Sequence, residues 1–209
     1  LFQWQMQSRE TGTFLFLPAE TYAISPWLYL KTQFRVLIRY LGLFLLPVYQ
    51  NFDYDIPLAG RFWEVRTIVP FTVLLLLFLL AVLFRRKQPW MAMGILWFFL
   101  TLSVESSIFP IRDLMVEHRM YLPLPGLSLL FAGTVCTCLR HRRTRRLLFA
   151  FWLLLLAFFS YERNKIWQTE ISLWSDTLEK SPGKIRPYNA LGRARAEAKQ
   201  FPEAVRLLN

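Results

Sequence analysis

The chain has 209 residues, is 55% hydrophobic and 17% aromatic, and has a mean hydropathy of +0.30. It holds more apolar side chain than an ordinary soluble domain and gathers it in blocks, which marks an integral membrane protein and argues against a water-soluble one. The net charge of +11 could suggest nucleic acid, but the densest basic runs abut apolar segments, as topology signals do, and argue against that class.

Cys136 and Cys138 lie two apart inside an apolar run. They are badly placed for a structural disulfide and lack the further Cys or His of a metal site, so both read as small membrane-buried residues. The chain starts at Leu1 with no basic and apolar leader, and it stops inside a helical pattern. It is expected to be a piece of a longer protein.

Residues 1–26 carry Pro18, Pro26 and a Gly-Thr break, hold no period, and are expected to be irregular. From Trp27 to Tyr49, Lys31, Arg35 and Arg39 recur every four residues and line one face of a basic amphipathic helix, with Leu30, Phe34, Leu37, Ile38 and Leu41 between them. Such a helix can lie in the membrane interface with its cations at lipid phosphates. A span over 36–49 would be short of the ~20 residues needed and would contain Arg39, Gly42 and Pro47, so an interfacial or re-entrant placement is preferred. Residues 50–60 then read as an aqueous loop, with Asp53 and Asp55 solvated unless a partner is found.

Four spans follow, at about 67–84, 88–104, 120–139 and 147–161. Glu105 closes the second, where its carboxylate must face protein or the interface. The short basic segments 85–87 and 140–146 fall on the same side of four successive spans, and the positive-inside rule makes that side cytoplasmic. The loop 110–119, the first sixty residues and everything after Tyr161 are then expected on the external or lumenal side. The compartment would be a bacterial inner membrane, or the endoplasmic reticulum in a eukaryote.

Beyond the membrane the chain fits the 34-residue tetratricopeptide frame. Trp174 and Leu178 take second-helix positions before Pro182, and Tyr188, Leu191, Gly192, Phe201, Ala204 and Leu208 fall at the offsets of the next repeat. A plain helical hairpin is the competing reading, since such repeats need about three copies for stability. The expected fold is therefore all-α: an external or interfacial segment (1–60), a polytopic membrane helix bundle (61–161), and the start of a tetratricopeptide-repeat solenoid (162–209).

Between the second and third spans, Arg112, Asp113, Glu117, His118 and Arg119 fall within eight residues. A guanidinium binds phosphate bidentately and an imidazole adds a donor, so Arg112, His118 and Arg119 could hold a lipid-carrier phosphate, while Glu117 or Glu105 could take a proton. In the competing reading Asp113 and Glu117 pair with Arg112 and Arg119 in a solvated loop with no further role. Residue types alone favour the second reading, because charged loops between spans are common. No Ser/His/Asp order, Gly-rich phosphate loop or His/Cys metal spacing occurs.

The order QFRVLIRYLGLFLLPVYQNFDYD, ESSIFPIRDLMVEHRMYLP, then YERNKIWQTEISLWSDTLEKSP resembles the transmembrane and tetratricopeptide-repeat proteins, which include O-mannosyltransferase-like members and bacterial relatives. The resemblance covers nearly all of the chain after about residue 27. EHRMYLP (117–123) is its most specific piece, followed by Arg163, Asn164 and Trp167 with LWSD (173–176). That family belongs to the C-type glycosyltransferases, which move a sugar from a polyprenyl-phosphate carrier to an acceptor on the external side.

The resemblance implies that the catalytic acidic motif lies in a first external loop before Leu1, so the catalytic residue is unknown here. Arg112, Glu117, His118, Arg119 and Tyr121 become donor-phosphate or active-site architecture. The implied partners are membrane lipids, the lipid-linked sugar and a protein acceptor on the repeats, with no nucleic acid. No cofactor is implied in this chain, and a divalent metal has no support in its residues. A non-enzymatic membrane anchor recruiting partners through its repeats is the second expectation. A transporter, which would show paired broken spans, is disfavoured.

Overall fold

The computed structural model describes residues 24–106, 110–111 and 113–208. Arg112 and nearly all of the segment expected to be irregular lie outside the described residues. Within them the fold is all-helical: eight α-helices and one 3-10 turn, with no strand.

Helix α1 (Pro26–Leu45) starts where Ser25 Oγ accepts from the Leu28 N–H at 3.3 Å and Pro26 takes the first helical position. It ends two residues before Pro47. Tyr29, Thr32, Gln33, Val36, Leu37 and Tyr40 recur at helical spacing and form one buried face. The helix expected over 27–49 is thus shorter, and its most buried face differs from the expected one. Leu30, Phe34, Ile38 and Leu41 are only half-buried, while a polar and aromatic set goes deepest.

Helix α2 (Val65–Phe84) buries only Thr67, Leu74 and Ala81, a stripe with a seven-residue repeat. The rest of its circumference is leucine, valine and phenylalanine facing outward, an arrangement stable against lipid and costly in water. Helix α5 (Arg142–Ile166) is longer and buries none of its residues. It continues past the expected 147–161 into YERNKI, a continuation the sequence allows, and it also begins earlier than expected, so the arginines from Arg142 on are turns of the same helix. At 1.5 Å per residue it is roughly 37 Å long, enough to cross the hydrocarbon core with its charged ends in the headgroups. Among the described residues, α2 and α5 have the length and composition to cross a membrane.

The other two expected spans are shorter. Helices α3 (Pro89–Ser103) and α4 (Leu124–Cys138) have 15 residues each, roughly 22 Å and less than the ~30 Å core. The segment expected as one span over 120–139 opens instead as the 3-10 turn Glu117–Met120 and becomes α4 after Pro123. Both cysteines are free and lie on the outside of α4 and its end.

Helices α3 and α4 cross in backbone contact. A Cβ on Gly94 would fall 2.5 Å from the Gly126 carbonyl oxygen, and one on Gly126 would fall 2.8 Å from that of Gly94. Trp97 Nε1 donates to the Leu122 carbonyl at 2.8 Å beside this crossing. Gly94→Ala is therefore expected to destabilise the protein by about 1–3 kcal/mol, because backbone has to move. Gly133→Ala, whose Cβ would meet only Met91 at 3.5 Å, is the matched change expected to leave thermal unfolding in detergent nearly unaltered.

An apolar core joins α1 to α4, running through Val36 and Tyr40 of α1, Tyr54, Leu74, Phe98 and Leu127, with a smaller cluster of Ala81, Ala92 and Ile95 between α2 and α3. Beyond α5, helix α6 (Glu170–Lys180) begins at a reciprocal capping box between Thr169 and Ser172. It packs on α7 (Ile185–Glu197), and α7 packs on α8 (Phe201–Leu208) across a turn in which Lys199 takes a φ of 60°. Leu191, Ala194 and Ala204 are buried between α7 and α8, and Gly192 lies against the Leu208 side chain, where a Cβ would be 2.8 Å away. Trp174, Leu178 and Tyr188 are half-buried, whereas Phe201 is exposed.

Candidate functional site

The buried polar face of α1 holds the charged segment by its backbone. Tyr40 Oη donates to the Val116 carbonyl at 2.8 Å and accepts from the Val116 N–H at 3.1 Å. Gln33 Nε2 donates to the Leu114 carbonyl at 3.0 Å, and Tyr29 Oη donates to the Glu105 carbonyl at 2.6 Å. Burial pushes the Tyr40 phenol up to about 12, so it stays a donor at any physiological pH. Leu114 and Val116, which precede the 3-10 turn and belong to no helix, thereby find partners for their backbone groups.

Among the described residues, Arg119 does not pair with Asp113 or Glu117 as the solvated-loop reading expected. Arg119 Nε sits 2.8 Å from Glu105 Oε2, and the Arg119 side chain is 6% exposed. Glu117 turns the other way: its Oε1 accepts from the Asn51 N–H at 2.8 Å and from Tyr54 Oη at 2.8 Å. Asp113 lies 3.6 Å from Arg186 of α7. His118 and Tyr121 point outward and are exposed, and Arg112 lies outside the described residues. Of the five residues singled out, Glu117 and Arg119 are therefore built into the protein, and His118 and Tyr121 remain at its surface.

The loop read as aqueous is the hub of this region. Asp53 is 4% exposed and carries Lys184 at 2.5 Å and Arg186 at 3.9 Å. Ser181 Oγ donates to the Asp53 carbonyl at 2.7 Å, while accepting from Asn51 Nδ2 at 2.7 Å and the Asp55 N–H at 3.1 Å. Phe52 packs edge-on against both Trp167 and Trp174, with centroids at 5.5 and 5.1 Å. Arg163 lies over Trp167 and bonds Asp176 at 3.0 Å, and Lys180 bridges Asp176 to the Gln50 carbonyl. The QNFDYD, EHRMYLP and RNxxW/LWSD segments, far apart in the chain, thus meet around residues 50–55.

Lys31, Arg35 and Arg39 keep to one face of α1, as their spacing predicts. Their side chains donate to the Gly60, Pro57 and Tyr49 carbonyls and so clip the rest of this loop to the helix.

Tyr54 gives the junction an alkaline limit. Burial, and then the Glu117 carboxylate beside it, raise its phenol well above the usual 10.0. The folded state keeps this proton while the unfolded chain loses it, so the contribution is complete below pH 10.0 and is lost as pH rises toward the folded value. Tyr54→Phe is expected to flatten the fall of melting temperature above that pH.

Two features beside the Glu105–Arg119 pair bear on ligands. Arg119 Nη1, Gln33 Oε1 and Ser106 Oγ are buried without a hydrogen-bond partner among the described residues, a costly state that a ligand or water relieves. An apolar cleft of about 370 Å³ between α1, α2 and α3, walled by Phe34, Phe71, Leu74 and Phe78, is also lined by Ser103 and Ser106. Sequence reasoning missed Tyr29, Gln33 and Tyr40, and their helical spacing inside an apolar stripe is the signal that could have found them. Asn51, Phe52 and Ser181 carry no such mark.

No protein-family model matches the chain, and no solved structure matches it. A protein O-mannosyl-transferase of Caenorhabditis elegans is similar to it, 26% identical over 180 residues that cover 81% of this chain. Those residues are 26% of the relative, so the chain spans about a quarter of the length of that curated protein.

Proposed function

We propose that this chain is part of a membrane glycosyltransferase that moves a sugar from a polyprenyl-phosphate carrier to a protein acceptor. The observation that carries the reading is the buried Arg119, one of whose guanidinium nitrogens has no hydrogen-bond partner among the described residues, held by Glu105, whose chain neighbour Ser106 lines an apolar cleft. A cleft of that lining accepts an isoprenoid chain, and a guanidinium N–H without a partner donates to a phosphate oxygen. The similarity to a protein O-mannosyl-transferase supports the same class.

In this reading Glu105 orients Arg119, and Glu117 serves architecture because both hydrogen bonds to its Oε1 come from the 50–55 loop. His118 and Tyr121, exposed beside Arg119, face the donor head group. The carboxylate that activates the acceptor comes from outside this chain. Helices α6 to α8 begin a tetratricopeptide array that presents the acceptor on the external or lumenal side, with 85–87 and 140–146 in the cytoplasm.

The test is sugar transfer from a polyprenyl-phosphate sugar by membranes containing the full-length protein. Arg119→Ala is expected to lose transfer while inserting normally, and normal transfer by that variant refutes the assignment.

A further inference from the structure

A second apolar groove lies on the outer side of α2 and α3, between Phe78 and Phe99 on one flank and Met93, Leu96 and Trp97 on the other, about 670 Å³ in volume. It runs along α3 from Pro89 to Ser103, so its length is roughly 21 Å by the helical rise. Its two ends differ in charge. Arg85 lines one end, with Arg86 and Lys87 next in the chain, and among the described residues none of the three has an acidic partner. The N-terminus of α3 opens at the same end, with Pro89 at its first position and no side-chain cap from Gln88.

These features complement one kind of molecule. An extended acyl chain fills a groove of this length and lining, and an anionic headgroup meets Arg85 and the positive end of α3 together. Basic pockets between membrane helices on the cytoplasmic side hold anionic phospholipids by this combination. The basic run 85–87 would then hold a lipid as well as orient the chain. We propose that the α2–α3 groove is a binding site for one anionic phospholipid, its phosphate on Arg85 and one acyl chain along α3. The site rests on α2 and α3 meeting lipid and is independent of the sugar-transfer reading. It opens at the basic end of α3, whereas Arg119 lies past the other end.

The test uses the full-length protein, purified in a neutral detergent and mixed with phosphatidylglycerol or phosphatidylcholine of identical chains, with retained lipid read by native mass spectrometry. Preferential retention of phosphatidylglycerol is expected. Arg85→Gln should reduce it about fivefold, the worth of one cation at an anionic lipid surface, and Arg146→Gln, outside the groove, should leave it unchanged. Equal retention of the two lipids overturns the site. So does an Arg85→Gln protein that retains phosphatidylglycerol like the native one, or an equal loss in Arg146→Gln, which would indicate diffuse attraction to the basic face. Arg85 is exposed, so its replacement leaves the fold intact, and an unchanged melting temperature checks this.

Discussion

Arg119→Ala in the full-length protein is expected to lower sugar transfer at least about a hundredfold, the scale on which removing one preorganised donor to a developing negative charge acts. The guanidinium is 6% exposed and anchored at Nε by Glu105 at 2.8 Å, which leaves Nη1 in place without reorganisation. Arg119→Lys keeps the charge but loses the planar fork, so partial activity is expected. Glu105→Gln separates a phosphate contact from a mere ion pair. Glutamine keeps an amide oxygen at the place of Glu105 Oε2 for Arg119 Nε to donate to, so the guanidinium stays oriented and most of the transfer should be retained. A Glu105→Gln protein as inactive as Arg119→Ala, with the same melting temperature as the native one, would make the pair itself the requirement and sink the phosphate assignment.

Asp53→Ala is expected to loosen α7 and α8 from the 50–55 loop at a cost of about 2–3 kcal/mol. Breaking a buried pair by removing one partner costs ~3–5 kcal/mol, and Lys184, 29% exposed, recovers part of this through water. The carboxylate gathers Lys184 and Arg186 from the start of α7, while its backbone carbonyl takes Ser181. Its loss should raise proteolysis and hydrogen exchange over 181–208 with the core of α1 to α4 unaffected. Ser181→Ala removes the shared hydroxyl and should move the same readout less. Unchanged protection over 181–208 in Asp53→Ala would show that Phe52 between the two tryptophans suffices to hold the hairpin.

How far each element was legible follows from what sets it. Helices α2 and α5 were visible because lipid-facing residues need only be apolar, a property each residue shows by itself. Their ends were less visible. The arginines before Leu147 read as a loop, yet the helix begins at Arg142 and runs through them. The charged segment at 110–119 stood out by composition, but its pairing did not. Nearby opposite charges suggested local pairs, whereas Arg119 found Glu105 and Glu117 found Tyr54. A short irregular segment cannot fold its charges onto themselves while its backbone is held by Tyr40 and Gln33.

The sequence by itself determined the helical class, the apolar character of α2 to α5, and the cationic face of α1, since composition and period are local properties. Only the tertiary structure decided that residues 50–55 are the hub. Asn51, Phe52 and Asp53 are ordinary loop residues until Ser181, Trp174 and Lys184, more than a hundred positions away, satisfy them. A polar residue in a loop is solvated by default, and only packing that excludes water makes its partner obligatory.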